Sequence, residues 1–178
     1  MPTTHILVAI ILIELYRDFF LKNNKRFPRY YILIMAFGAI IPDLDVVAYY
    51  GLYFFGFTIE QIHRTFLHTI FIPVGLFAIG LILYFAKTKI SAVGKKHMTL
   101  PTIFFILSAG ALLHLLLDAT FAGQIIPLYP FSNLAIGLNL INIFPAGLRD
   151  LIIPSLDVAL LIFWLFWMEF KLKISNYF

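Results

Sequence analysis

The sequence has no cysteine and few charged residues, and both absences narrow what the protein can be. Without cysteine, disulfides and thiolate metal ligands are excluded. Charged side chains make up 12% of the 178 residues and hydrophobic ones 62%, whereas soluble domains have roughly 25% and 45–50%. One small domain cannot bury that much apolar surface. The composition therefore predicts an all-α integral membrane protein in which residues 1–178 form a single domain.

Several recognisable binding motifs are also absent. The sequence contains no glycine-rich phosphate loop, no serine-nucleophile motif and no nucleic-acid-binding motif. Its lysines and arginines flank the apolar segments, where membrane orientation and anionic lipid explain them. We expect membrane lipid as the partner, both as solvent and as substrate, and no nucleic acid; the oligomeric state is left open.

Five apolar segments approach or exceed the roughly 20 residues that a spanning helix needs. They are residues 4–21, 30–56, 59–86, 100–121 and 151–170. The second segment is interrupted at Pro42. Residues 123–149 are apolar but broken by prolines and glycines, which predicts an interfacial or re-entrant loop, although a further short span within them stays open. The predicted fold is a transmembrane bundle of about five helices.

The basic residues predict how this bundle is oriented. Five spans place ten of the thirteen lysines and arginines on the side of the C-terminus. By the positive-inside rule this side is cytoplasmic. The N-terminus and the loop at 123–149 are then expected on the extracytoplasmic side of the cell membrane.

Ionisable residues inside the apolar segments are the main functional signal. A charge at the centre of a bilayer costs about 2.5–3.5 kcal/mol on insertion scales, so such residues indicate pairing, ion binding or a wet cavity. With five spans, nine polar residues of these segments fall in the extracytoplasmic half of the membrane. They are His5, Asp43, Asp45, His63, Arg64, His68, His114, Asp118 and Asp157.

The spacing of the histidines leaves several arrangements open. His114 and Asp118 are four residues apart and share one helical face, so they can bind one ion or form a hydrogen bond with each other. His63 and His68 are five apart, roughly 140° around an ideal helix, and cannot both face one centre. They could bind two ions, one could support the other's ligand, or the helix could be distorted.

Asp43 and Asp45 follow Pro42, which can end one helix and start another. An unwound Pro-Asp-Leu-Asp segment can aim both carboxylates inward. The alternative is that Asp45 pairs with Arg64 and Asp43 caps a helix.

The charge balance of the cluster favours bound cations. The cluster contains four acidic residues, and the basic residues on its side are Arg64 and Arg149. The four are Asp43, Asp45, Asp118 and Asp157. Histidine and carboxylate ligands without thiolate suit zinc, with manganese or iron as alternatives, and more than four candidate ligands allow two or more ions. Sites of this type hydrolyse phosphoesters by activating water.

Five short motifs resemble the YdjM-like family of membrane-bound metal-dependent hydrolases, in the order of that family and over most of the chain. They are Thr4-His5, Pro42-Asp43-Leu44-Asp45, His63-Arg64 with His68, His114 with Asp118, and Pro130-Phe131-Ser132. The chain departs from the family's usual pattern at Thr65, Leu67 and Thr69, which leaves the candidate ligands intact. More remotely, the pattern is similar to zinc-dependent phospholipase C.

The resemblance implies a metal-dependent hydrolase, and with the cluster it predicts a lipid phosphoester hydrolase. The candidate metal ligands are His5, Asp43, Asp45, His63, His68, His114 and Asp118. Asp45 or Asp118 is expected to bridge two ions, Arg64 to stabilise charge developing on phosphate, and Asp157 to support the ligands or to be one.

Two other functions compete with hydrolysis. The cluster could carry ions or protons across the membrane, as relays of acidic residues and histidine do in transporters. Glu14, Arg17 and Asp18 are the groups that would continue such a path toward the cytoplasm. Alternatively, a bound metal could stabilise a membrane protein that has no catalytic activity.

Overall fold

The computed structural model describes residues 2–21, 27–63, 65–86 and 99–173. Within these ranges the chain is helical and has no β-strand, which confirms the all-α fold. The α-helices are α1 (Pro2–Tyr16), α2 (Tyr30–Gly38), α3 (Asp45–Leu52), α4 (Ile59–Ile62), α5 (Phe71–Phe85), α6 (Leu100–Leu117) and α7 (Ala146–Leu172). Turns of π-helix follow α1 and α6 at Arg17–Leu21 and Asp118–Ala122, and 3-10 turns form at Pro42–Leu44, Tyr53–Phe55 and Leu140–Ile143.

The count of about five spans is not confirmed by the described residues. Two helical segments, Leu100–Phe121 and Ala146–Lys171, are long and apolar enough to cross a membrane. A third span results if Tyr30–Gly38 and Pro42–Phe55 are taken together across a 56° bend. Helix α5 has 15 residues, which gives about 22 Å against a hydrocarbon core of about 30 Å. It is short because residues 65–70 form turns and bends where the apolar run predicted helix.

Helix α6 is central in the described bundle. It packs against α5 and α2, and α1 packs against α2 and α7. The core is formed by small and branched apolar side chains of α1, α2 and α6 together with Tyr31, which is 2% exposed. These core residues are Ala9, Ile13, Tyr31, Ile32, Met35, Ala39 and Ile106.

Two glycines let α2 and α6 approach closely. A Cβ atom on Gly110 would lie 2.5 Å from the backbone oxygen of Met35, and one on Gly38 would lie 2.6 Å from that of Leu107. Neither contact is possible for a larger residue without backbone movement. The close crossing brings the C-terminal end of α2, and the Pro42 turn after it, against the second half of α6.

The segment between α6 and α7 folds back over one end of the bundle. Its two arms meet in an isolated antiparallel bridge between Ile125 and Ile136. The backbone N–H of Ile70 donates to the carbonyl oxygen of Pro127 at 2.9 Å, which ties the segment to the start of α5. This is the end of the bundle where the polar residues lie. The orientation of the termini across the membrane stays a prediction.

Candidate metal centre

The turn after α2 aims two carboxylates at the same region. Pro42 begins a 3-10 turn, and Asp45 begins α3 directly after it. In this unwound geometry Asp43 contacts His68 and His114, with Oδ1 3.6 Å from Nε2 of each. Asp45 is 2% exposed and contacts two imidazoles of its own. Pro42 therefore allows carboxylates two residues apart to face one cluster.

His63 and His68 converge on Asp45 because the chain between them is not helical. Nδ1 of His63 lies 3.0 Å from Oδ1 of Asp45, and Nδ1 of His68 lies 3.0 Å from Oδ2. Helix α4 ends at Ile62, so the five-residue spacing does not set the ring directions. The helix predicted through both histidines is interrupted after Ile62, which allows both rings to face Asp45.

Helix α6 and the start of α1 contribute the rest of the cluster. His114 is fully buried, and the ring of His5 stacks on it with centroids 4.0 Å apart. Nε2 of His5 lies 3.1 Å from Oδ1 of Asp118. Asp118 begins a turn of π-helix, a feature frequent at functional sites.

Two imidazole nitrogens lie at the centre of the cluster, Nε2 of His68 and Nε2 of His114, and each has Oδ1 of Asp43 and Oδ2 of Asp118 nearby. The two nitrogens are 3.3 Å apart, and each lies 3.6 Å from the Asp43 oxygen. The Asp118 oxygen is 3.5 Å from His68 and 3.7 Å from His114. Tetrahedral zinc with bonds of about 2.0–2.1 Å separates its ligand atoms by about 3.3–3.4 Å. The ligand atoms of Asp43, His68 and His114 are therefore spaced nearly as in a zinc site.

The hydrogen-bond partners of the rings determine where their protons lie. Nδ1 of His114 is 2.7 Å from the backbone oxygen of Ala39, which can only accept, so this nitrogen carries the proton. The buried Nδ1 of His68 contacts Asp45 without hydrogen-bond alignment. The Nε2 atoms of both rings face each other and two carboxylates. A proton on one of these nitrogens or a bound metal ion can satisfy these contacts.

Two carboxylates extend the cluster beyond one point, because each directs its two oxygens at different partners. Asp118 places Oδ1 toward His5 and Oδ2 toward His68 and His114. Asp45 places Oδ1 toward His63 and Oδ2 toward His68. Both have the arrangement of a carboxylate that can bridge two neighbouring sites.

Three overlapping groups of residues could each hold a metal ion, with ligand atoms within 4.8 Å of one another. They are His5, His114 and Asp118; Asp43, His68 and His114; and Asp45, His63 and His68. All seven candidate ligands are included. Nitrogen and oxygen donors of this kind suit zinc, manganese or iron, so the residues present fit a divalent metal.

The two remaining predicted site residues have different outcomes. Asp157 accepts a short hydrogen bond from the hydroxyl of Thr4, which precedes His5 in α1. Among the described residues it therefore lies beside the three groups rather than in them. Arg64 lies outside the described residues, and its role stays a prediction.

One contributor was missed because it is a backbone atom. The Ala39 carbonyl oxygen holds the ring of His114, and nothing in the identity of an alanine signals that contact. Gly38 and Gly110 are the sequence features that could have indicated this contact, because small residues on two helices allow the helices to cross closely.

Fold and cluster together define a helical membrane protein with a buried histidine–aspartate centre that could hold metal ions. The family model described as YdjM inner membrane protein matches residues 1–174, and the chain belongs to that family. This confirms the family resemblance and the membrane location. No curated protein and no solved structure matches the chain, so the remote similarity to zinc-dependent phospholipase C gains no support.

Proposed function

We propose that this protein is a membrane-embedded, metal-dependent hydrolase that cleaves a phosphoester bond in a lipid, with zinc as the first candidate metal. The observation that supports it most is the sharing of ligands between the three groups, which favours neighbouring ions over one isolated structural ion. When bound, divalent cations supply a water that ionises near neutral pH and neutralise charge on phosphate oxygens.

Different residues of the chain are proposed to orient the ligands, to connect the metal groups and to stabilise phosphate charge. His68 and His114 present their Nε2 atoms to the centre, and contacts at both Nδ1 atoms hold the rings in place. Asp45 and Asp118 connect neighbouring groups through separate oxygens. Arg64 follows His63 directly in the sequence, and its guanidinium suits the equatorial oxygens of a phosphoryl group.

The polar contacts at the other end of the bundle support hydrolysis over an ion path. Glu14 accepts a hydrogen bond from the indole of Trp164 at 3.1 Å. Asp18 lies 3.6 Å from Arg17 and 3.4 Å from Lys171. These groups pair with one another and so join the end of α1 and the following π-helical turn to α7. Groups paired in this way are not available to pass on an ion or a proton.

Metal analysis followed by a turnover screen tests the proposal. Protein purified in detergent is expected to retain more than one equivalent of zinc, manganese or iron, and Asp43→Asn and His114→Ala are expected to lose metal. The loaded protein is then tested for phosphate or phosphorylated headgroup release from phosphatidic acid, phosphatidylglycerol and isoprenoid diphosphate lipids.

The variant Arg64→Gln separates charge stabilisation from metal binding. It is expected to keep its metal and to lower the turnover number. Stoichiometric metal with no turnover on any of these lipids would replace the hydrolase with a structural metal site. If no metal is bound after reconstitution and the protein conducts ions in proteoliposomes, the transporter hypothesis replaces the hydrolase hypothesis.

A further inference from the structure

An apolar cavity of about 350 Å³ lies beside the candidate metal centre. Its volume is in the range of small-molecule sites, roughly 300–1,000 Å³. The surface it presents is entirely apolar. It is formed by the start of α1, the end of α6, the 3-10 turn at Leu140–Ile143 and the start of α7, where Ile152, Ile153 and Leu156 line it.

His5 is common to the cavity and the metal centre. Its ring lines the cavity, while its Nε2 atom lies 3.1 Å from Asp118 and its face stacks on His114. Thr4, which also lines the cavity, is held by Asp157 of α7. A molecule in the cavity would therefore contact His5, which is itself a candidate ligand and touches two others.

The surroundings of the cavity indicate hydrocarbon as its occupant. None of the most apolar stretch of α7 is buried within the chain, so lipid is the natural cover for that helix. Leu161 of α7, which does not line the cavity, is 42% exposed. An apolar space with no hydrogen-bonding surface rejects headgroups and water but accepts methylene groups, each worth about 0.8 kcal/mol on burial.

We infer that this cavity binds an acyl chain of a membrane lipid and thereby holds the lipid's phosphoester against His5 and Asp118. The chain enters from the hydrocarbon beside α7, and the end of the cavity at Leu140–Ile143 limits how much of it fits. The substrate assignment rests on the proposed hydrolase function, whereas acyl-chain binding does not require turnover.

Photocrosslinking tests the binding directly. The full chain is placed in nanodiscs of saturated phosphatidylcholine containing phosphatidic acid with a diazirine near the end of one acyl chain. After irradiation, mass spectrometry is expected to find the label concentrated on cavity residues such as Leu140, Ile153 and Leu156. Labelling spread evenly over lipid-facing residues of α7, with none on the cavity residues, would overturn the inference.

A pair of tryptophan variants gives the matched control. Leu156→Trp places an indole in the cavity and is expected to lower the cavity labelling several-fold, whereas Leu161→Trp on the exposed face is expected to leave it unchanged. Unchanged cavity labelling in a folded Leu156→Trp variant would also overturn the inference. If Leu156→Trp does not fold, the wild-type label map decides the question.

The same experiment separates this inference from the proposed function. Asp43→Asn alters the metal centre away from the cavity and is expected to abolish turnover while keeping the cavity labelling. Cavity labelling in a wild-type protein that hydrolyses no lipid would uphold the acyl-chain site and overturn the hydrolase. Turnover on lipid without cavity labelling would uphold the hydrolase and overturn the acyl-chain site.

Discussion

Replacing Gly110 by alanine is expected to weaken metal binding although Gly110 is not a candidate ligand. The added methyl group would lie 2.5 Å from the backbone oxygen of Met35 and 2.8 Å from the backbone nitrogen of Ala39, where ordinary contacts begin at 3.4 Å. Both neighbours are backbone atoms and cannot rotate away, so α2 and α6 must move apart by about 1 Å, at a cost of about 1–3 kcal/mol.

That movement would break the hydrogen bond that orients His114. Its Nδ1 atom lies 2.7 Å from the Ala39 oxygen, and an added 1 Å takes this distance to about 3.7 Å, beyond hydrogen-bond range. Losing such a supporting partner of a ligand typically lowers metal affinity by about 10–100-fold. We expect an effect of that size for Gly110→Ala.

Competition with a chromophoric chelator measures the affinity, and thermal unfolding in detergent measures the stability. Gly75→Ala is the matched control, since it also places a methyl group on an apolar helix but meets nothing within 4 Å. It is expected to keep full affinity and to gain up to about 1 kcal/mol of helix stability. A folded Gly110→Ala variant with wild-type affinity would refute the reasoning, as would equal weakening by Gly75→Ala.

Three further substitutions have distinct expected outcomes. His68→Ala should release more metal than His63→Ala in elemental analysis, because His68 belongs to two of the three groups and His63 to one; equal losses would contradict the shared centre. Asp157→Asn keeps an acceptor for its hydrogen bond and should retain all metal, and metal loss would make Asp157 a ligand. Trp164→Phe removes the partner of the buried Glu14 carboxyl and should lower the free energy of unfolding by about 1–3 kcal/mol without metal loss.

The position of the site along the chain could be predicted because ionisable side chains are costly in apolar segments. His5, His114 and Asp118 lie in predicted spans that cross the membrane in alternating directions. That alternation alone places these three residues at the same end of the bundle, without knowledge of how the helices pack. The helical class follows equally from composition, because backbone groups in a bilayer must be satisfied within the helix.

The local geometry could not be predicted because tertiary contacts decide it. Residues 65–70 directly precede α5 in a segment predicted to be one helix, yet they form turns, which allows His63 and His68 to meet at Asp45. The hydrogen bond between Ile70 and Pro127 helps hold these turns, and it joins segments 57 residues apart. The same break shortens α5 to less than the length of a predicted span, so this shortening and the convergence of the histidines have one cause.

The two polar ends of the bundle differ in their balance of donors and acceptors, and that difference is what indicates a cation. At the end with Glu14, each carboxyl faces an N–H donor or a cationic side chain, so local pairing satisfies the buried charges. At the other end, the Nδ1 proton of His114 is directed to the backbone oxygen of Ala39, and the Nε2 atoms of His68 and His114 meet two carboxylates. Buried polar groups alone are compatible with a structural role. A surplus of acceptors around one point is costly to bury unless something positively charged fills it.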